Sequence, residues 1–304
     1  MLTQYKLNNA KTILNKSDSP DEDLFIGTIN PYTGCEHGCV YCYVQAQKYQ
    51  PYKNTADLFK TIGIKQNAPA LLEEQFLKGL PYGMLCIGSS SDPYQPAEKE
   101  HKITAKLLEV TAKYGFPVHI FTKSCLIERD LDILKSIAAK SIAVVSFSVI
   151  TLNKTTAELF EKDAPPPQRR LETIAQLSKV GVIAGASIMP VLPYITDSLK
   201  QTEALIKAVK ENGGKYVWPG CLTLRDLQKQ KYHGALLKNY PGLASRYEQL
   251  YHNRHSPSQE YNSSINDMVY TLAKRNGLNM GLSFMKKLPR WGKGLKPLQK
   301  EFNF

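Results

Sequence analysis

Three cysteines, Cys35, Cys39 and Cys42, stand on one short segment, NPYTGCEHGCVYCY from Asn30 to Tyr43, at C-x3-C-x2-C spacing. Thiolates so close in sequence can wrap a compact inorganic centre, and they select zinc or an iron–sulfur cluster over magnesium or calcium. Structural zinc needs a fourth ligand, which would have to be His37 or a distant residue such as Cys86. Three ligands without an evident fourth suit a four-iron cluster whose last iron stays open to a substrate or cofactor. Cys86, Cys125 and Cys221 stand alone and read as small buried apolar residues. Six cysteines in 304 residues are too few for a disulfide scaffold and point to a reducing compartment.

A loop of this kind has to be held by a framework, and the chain repeats one unit: a short β-rich apolar run, a polar loop, then an amphipathic helix closed by glycine. Strands are expected at Leu24 to Asn30, Met84 to Ser89, Pro117 to Thr122, Ile142 to Ile150, Val182 to Met189 and Tyr216 to Leu224. Between them Ile103, Leu107 and Val110, then Leu131, Leu134 and Ile137, then Leu171, Ile174 and Leu177 mark single apolar helix faces. Gly115, Gly181 and Gly213 fall where left-handed residues end helices. A further helix carrying Ile265, Met268, Val269 and Leu272 ends at Gly277 and is expected against the outside of the barrel. The alternation predicts a parallel α/β fold, in which reactive groups gather at the C-terminal ends of the strands. The cysteine segment directly follows the first of these runs.

The composition, 42% hydrophobic and 22% charged, excludes wholesale disorder and collagen-like repeats. No run reaches the roughly 18 apolar residues of a membrane span, and the arm 1–23 is polar without a signal-peptide block. The expectation is a soluble cytoplasmic protein with no membrane partner. The net charge is +12, and residues 226–304 carry 13 Lys or Arg against 5 Asp or Glu. Such an excess attracts polyanions or holds an anionic cofactor. Lys286 to Lys300 holds six cations and no acid, with two prolines and two glycines, and is expected to be an extended tail.

The C-x3-C-x2-C motif after a first strand, with Tyr41 just before the last cysteine, resembles the radical S-adenosylmethionine (SAM) superfamily. Longer segments are similar to its spore photoproduct lyase branch: GSSSDPYQPAEKE from Gly88 to Glu100, TKSCLIERDLDIL from Thr122 to Leu134, SFSVITLN, APPPQRRLETIAQL, and ASIMPVLPYITD ending at Asp197. The resemblance covers Lys11 to about Arg225 and fades beyond Asp226. It implies a partial six-stranded (β/α)6 barrel over 1–225 and a basic, tyrosine-rich helical extension over 226–304. It also implies a [4Fe-4S] cluster on Cys35, Cys39 and Cys42, with SAM bound to its open iron. Reductive cleavage to a 5′-deoxyadenosyl radical and hydrogen abstraction from substrate would follow, fed by an electron donor such as flavodoxin or ferredoxin. No second cysteine motif follows Asp197, so one cluster is expected.

The same resemblance places Ser91 and Asp92 where the methionine amino group of SAM is recognised, and a carboxylate suits an ammonium there; a turn stabilised by Asp92 before Pro93 reads as naturally. Lys123 and Ser146, ending the third and fourth strands, are candidates for the SAM carboxylate and ribose. Tyr41 counts with the cofactor-binding residues, and Tyr43 could relay a hydrogen atom. Ser89 stands where the lyase has its hydrogen-donor cysteine, a departure that separates this chain from spore photoproduct lyase activity.

For the substrate, a nucleic acid fits the resemblance, lyase-like DNA repair included, and fits the basic C-terminal quarter. There Tyr232, Tyr240, Tyr247, Tyr251, Tyr261 and Trp291 would stack on an extruded base. The alternatives are a surface over a helical cap, a radical enzyme for a small metabolite or peptide, and a non-catalytic metal-stapled module that docks nucleic acid.

Overall fold

A computed structural model describes residues 3–16 and 24–288. Six parallel strands pair in chain order: β1 (Phe25–Ile29), β2 (Met84–Ile87), β3 (Val118–Thr122), β4 (Ala143–Ser148), β5 (Ile183–Val191) and β6 (Tyr216–Cys221). Each is parallel to the next. Leu14–Lys16 pairs antiparallel outside β1, and Asn279–Met280 pairs parallel outside β6. The sheet is therefore flanked at both ends, a partial (β/α)6 barrel followed by a helical extension.

The crossover helices are α1 (Ala68–Leu77), α2 (Ile103–Lys113), α3 (Leu131–Lys140), the short α4 (Lys154–Phe160), α5 (Pro167–Lys179) and α6 (Leu199–Glu211). The extension holds α7 (Asp226–Asn239), α8 (Ala244–Tyr251) and α9 (Gln259–Arg275). Leu107, Leu134, Ile137, Leu171, Ile174 and Leu177 are buried on the faces their spacing predicts, in one core with the outward residues of the strands. Ile265, Val269 and Leu272 of α9 enter the same core, so this helix does close on the barrel's outer face. Gly115, Gly181 and Gly213 end their helices at positive φ.

Two points concern the ends. Part of the arm forms a small sheet in which Gln4–Asn8 runs parallel to Thr61–Lys65, itself paired to Tyr32–Thr33. The tail expected from Lys286 lies, beyond Leu288, outside the described residues, as does Trp291. Among the described residues no helix is long and apolar enough to cross a membrane.

Candidate active site

The loop after β1 carries the three cysteines and is folded by its own backbone. Cys42 N–H donates to Cys39 O at 3.1 Å, closing a tight turn, and Gln45 Nε2 donates to Val40 O at 2.9 Å and reaches Cys39 O and Cys42 O at 3.3 Å. Gly34 enters the loop at φ +81°, where a Cβ would stand 2.6 Å from Thr61 O, so only glycine fits. The loop is then pinned from outside: Val40 N–H donates to Phe160 O at 2.9 Å, and Gln228 Nε2 of α7 donates to Tyr41 O at 2.8 Å. Sequence reasoning missed Gln45 and Gln228, since a lone glutamine carries no pattern.

The second wall is the loop after β2. Gln95 Nε2 donates to Gly34 O at 3.2 Å and its Oε1 accepts Glu36 N–H at 3.0 Å, which fastens this loop to the cysteine loop. Asn30, just after β1, does the same, giving Nδ2 to Ser89 Oγ at 2.9 Å and accepting Ser90 N–H at 2.8 Å. Buried Glu98 meets Arg129 Nη2 at 2.6 Å, and Tyr94 OH donates to Asp130 Oδ2 at 3.0 Å. The segments 88–100 and 122–134, singled out separately in the sequence, thus support each other.

Asp92 is the hub of that wall. Its Oδ1 accepts Thr122 Oγ1–H at 2.7 Å and Tyr94 N–H at 2.9 Å, while Oδ2 accepts Lys123 N–H at 2.7 Å and lies 3.2 Å from His37 Nδ1. Burial alone would push this carboxyl up, but His37 and the donors outweigh it and hold the pKa down to about 2. Both oxygens of Asp92 join the ends of β2 and β3, and the residue also borders the cavity described below. Ser91 Oγ is likewise engaged, donating to Tyr32 O at 3.0 Å. His37, one candidate for a zinc ligand, faces Asp92.

Around Tyr41 lies a buried ionic group that the sequence did not announce. Tyr41 OH donates to Glu161 Oε1; Glu161 Oε2 pairs with Arg170 Nη2 at 2.7 Å, and Lys123 Nζ stands 4.0 Å from Glu161 Oε1 and 5.7 Å from the Tyr41 ring centre. Arg170, 1% exposed, also donates to Ser148 O and Pro165 O, each at 2.7 Å. Burial would raise the Glu161 carboxyl, but Arg170 and Lys123 hold it below its ordinary value. Burial lowers and the neighbouring Cys39 and Glu161 raise the Lys123 ammonium, with a net upward shift.

These parts meet at one cavity of about 480 Å³ at the C-terminal ends of the strands. Cys35, Cys39, Cys42, Tyr41, Tyr43, Ser91, Asp92 and Lys123 all line it. Ser146 is placed one layer deeper: it is fully buried, with Oγ 2.8 Å from His119 Nε2 and 2.6 Å from Tyr216 OH, while Ser148, the next inward residue of β4, borders the cavity. Tyr43 is 40% exposed, donates OH to Ser89 O at 2.7 Å and meets Tyr49 edge-on at 5.3 Å.

The donor set fits an iron–sulfur cluster. Burial pushes all three thiols up, Cys39 to about 12, so that as free thiols they stay protonated; a bound metal centre supplies the positive charge that makes them thiolates. Among the described residues no three His, Cys, Asp or Glu side chains are grouped so as to hold one metal ion. The three cysteines instead border one shared cavity of about 480 Å³.

Comparison with known proteins agrees with the site. A model of the radical SAM superfamily matches residues 29–206, more than half of the chain. The chain therefore belongs to the radical SAM superfamily, and the barrel is of the radical SAM type. An uncharacterized protein of Mycobacterium tuberculosis is 28% identical over 244 residues, covering 80% of this chain and 72% of that protein. One from Methanocaldococcus jannaschii is 27% identical over 251 residues, covering 82% and 86%. Among solved structures, a spore photoproduct lyase double mutant with bound AdoMet and dinucleoside spore photoproduct superposes with TM-score 0.68 at 14% identity, over 91% of this chain and 81% of that one. The family is one of enzymes that use a [4Fe-4S] cluster and SAM and need an electron donor.

The structure corrects the expected base-stacking surface. Tyr232, Tyr247 and Tyr251 are buried, and Tyr240 is partly buried against them. Tyr232 and Tyr247 share a 2.8 Å hydroxyl–hydroxyl bond, and Tyr251 OH donates to Leu222 O at 2.7 Å. Tyr261 OH donates to Asp197 Oδ2 at 2.6 Å. The rings of Tyr232, Tyr247 and Tyr251 pack between the extension and the cysteine loop, and these three are not available to stack on a base.

Proposed function

We propose that this chain cleaves SAM reductively and takes a hydrogen atom from a substrate carried on a nucleic acid. The observation that carries the reading is the convergence of three cysteines, residues 88–92 and Lys123 on one cavity at the strand ends. Cys35, Cys39 and Cys42 are the ligands of the [4Fe-4S] cluster, which together with SAM supplies a 5′-deoxyadenosyl radical. Lys123 offers an ammonium to the SAM carboxylate, and Asp92 acts by fixing the Lys123 backbone and the 88–95 turn. Tyr43, on the cavity wall and bonded to Ser89 O, is the candidate hydrogen-atom relay. We take 1–225 as the catalytic unit and 226–304 as the extension, whose helix α7 meets the cysteine loop through Gln228, with flavodoxin or ferredoxin as reductant.

A nucleic-acid substrate is supported by the +12 charge and by the rim of the cavity rather than by the buried tyrosines. There Tyr43 and Tyr49 are about two-fifths exposed, and Lys48 Nζ sits 5.5 Å from the Tyr49 ring centre. Exposed rings interleaved with cations are what a splayed base and its phosphates require. The test is anaerobic turnover with deuterated oligonucleotides. Deuterium appearing in 5′-deoxyadenosine supports the reading; 5′-deoxyadenosine formed without deuterium from any oligonucleotide moves the chemistry to a metabolite or peptide.

A further inference from the structure

The ionic group behind the cysteine loop is more elaborate than packing needs. Glu161 is 2% exposed and Arg170 1%, and a buried ion pair of this kind is often no more stabilising than apolar residues of the same volume. Its placement suggests another use. Glu161 bonds Tyr41, which lies between Cys39 and Cys42, and it faces Lys123 on the cavity wall. Cys39 packs with Tyr41 in one buried group and borders the same cavity as Lys123. Two cations and one anion thus stand behind the loop of one cluster ligand, two of the three buried, where Coulomb interactions are less screened than in water.

We propose that Glu161, paired with Arg170 and facing Lys123, sets the reduction potential of the cluster held by Cys39. This rests on the radical SAM reading of the site. Adding an electron makes the cluster more negative, so nearby cations favour the reduced state and a nearby anion disfavours it. Glu161 offsets part of the field of Lys123 and Arg170, keeping the reduced cluster a stronger reductant than two bare cations would allow. Glu161 is a positioning residue in this account: it also holds the Lys123 ammonium toward the cavity and Tyr41 against its loop.

The test is a redox titration of the reconstituted chain, followed by electron paramagnetic resonance, with Glu161→Gln and Lys123→Gln beside the wild type. Glu161→Gln keeps an acceptor for Tyr41 and removes one negative charge. Its midpoint should move positive, with at least a tenfold higher reduced-to-oxidised ratio at a fixed potential, which for one electron is 59 mV. Lys123→Gln should move the midpoint negative. Opposite shifts support the proposal, because mere loosening of the loop would move both variants the same way. Unchanged midpoints, or shifts of one sign, overturn it. If Glu161→Gln fails to take up iron, Lys123→Gln decides alone, and a midpoint that stays or rises overturns the proposal. A wild-type chain that takes up no cluster overturns the site reading as well, so the two failures are distinct.

Discussion

Gln228 Nε2 donates to the carbonyl of Tyr41 at 2.8 Å, a bond across 187 positions of sequence that ties the first helix of the extension to the cysteine loop. The same nitrogen donates to Thr223 O at 2.7 Å, so one buried amide joins the end of the barrel, the extension and the site. Gln228→Leu leaves two carbonyls without this donor, at a cost of about 1–3 kcal/mol for each group left dry. Thermal unfolding should show a Tm lower by several degrees, and iron uptake on reconstitution should slow. A variant indistinguishable from wild type in both would show that the extension does not hold the loop.

Cys125 differs from the three cysteines of the motif. Alanine at Cys35, Cys39 or Cys42 should abolish the cluster, seen as loss of iron, sulfide and visible absorbance. Alanine at Cys125, which does not border the cavity, should leave all three unchanged. Iron retained in any of the first three variants would remove that residue from the ligand set.

Asp92 is predicted to act through the loops it joins. In Asp92→Ala the Thr122 hydroxyl and two backbone N–H groups lose their acceptor, and the loss of a buried charge with its partners costs about 3–5 kcal/mol. Asp92→Asn retains only one acceptor oxygen, and an amide nitrogen at the Oδ2 position would face the Lys123 N–H. Both variants should lower Tm, alanine more, and both should weaken SAM binding measured by calorimetry. A stable Asp92→Ala chain with normal affinity would contradict this role.

Stability should fall on mild acidification because of His119. This imidazole is fully buried, with Nε2 2.8 Å from Ser146 Oγ, and burial pushes its pKa down to about 3. The folded value lies below the unfolded value of about 6.5, so the unfolded chain binds the proton first. The contribution is fully present above that pH and is lost at up to about 1.4 kcal/mol per unit as pH falls toward 3. Urea unfolding at pH 7, 6 and 5 should show this slope, and His119→Gln should flatten it. An equal slope in the variant would place the titration elsewhere.

The six strands were legible because strands buried on both faces read as short apolar runs: Pro117 to Thr122 is found as Val118–Thr122, and Tyr216 to Leu224 as Tyr216–Cys221. The cysteine spacing was legible because its ligands are consecutive in one loop. Gln4–Asn8 was not, although Tyr5 and Leu7 alternate with polar residues, since the run is only five residues long and every one of them is exposed. Glu161 and Arg170 were hidden because their meaning is tertiary: a glutamate at a helix end and one arginine of a pair look solvated until Tyr41 and Lys123 close over them. The tyrosines of the extension misled for the converse reason. Tyrosine among lysines suggests a surface, yet its ring pays no penalty inside when, as with Tyr247 and Pro193 O at 2.8 Å, the hydroxyl finds a partner.

The central claim is tested most directly by anaerobic reconstitution with iron and sulfide, then dithionite and SAM, with 5′-deoxyadenosine read by chromatography beside a Cys39→Ala control. The account predicts about four irons per chain, as a [4Fe-4S] cluster requires, and 5′-deoxyadenosine that disappears in the variant. Zinc in place of iron, with no cleavage of SAM under any reductant, would contradict it.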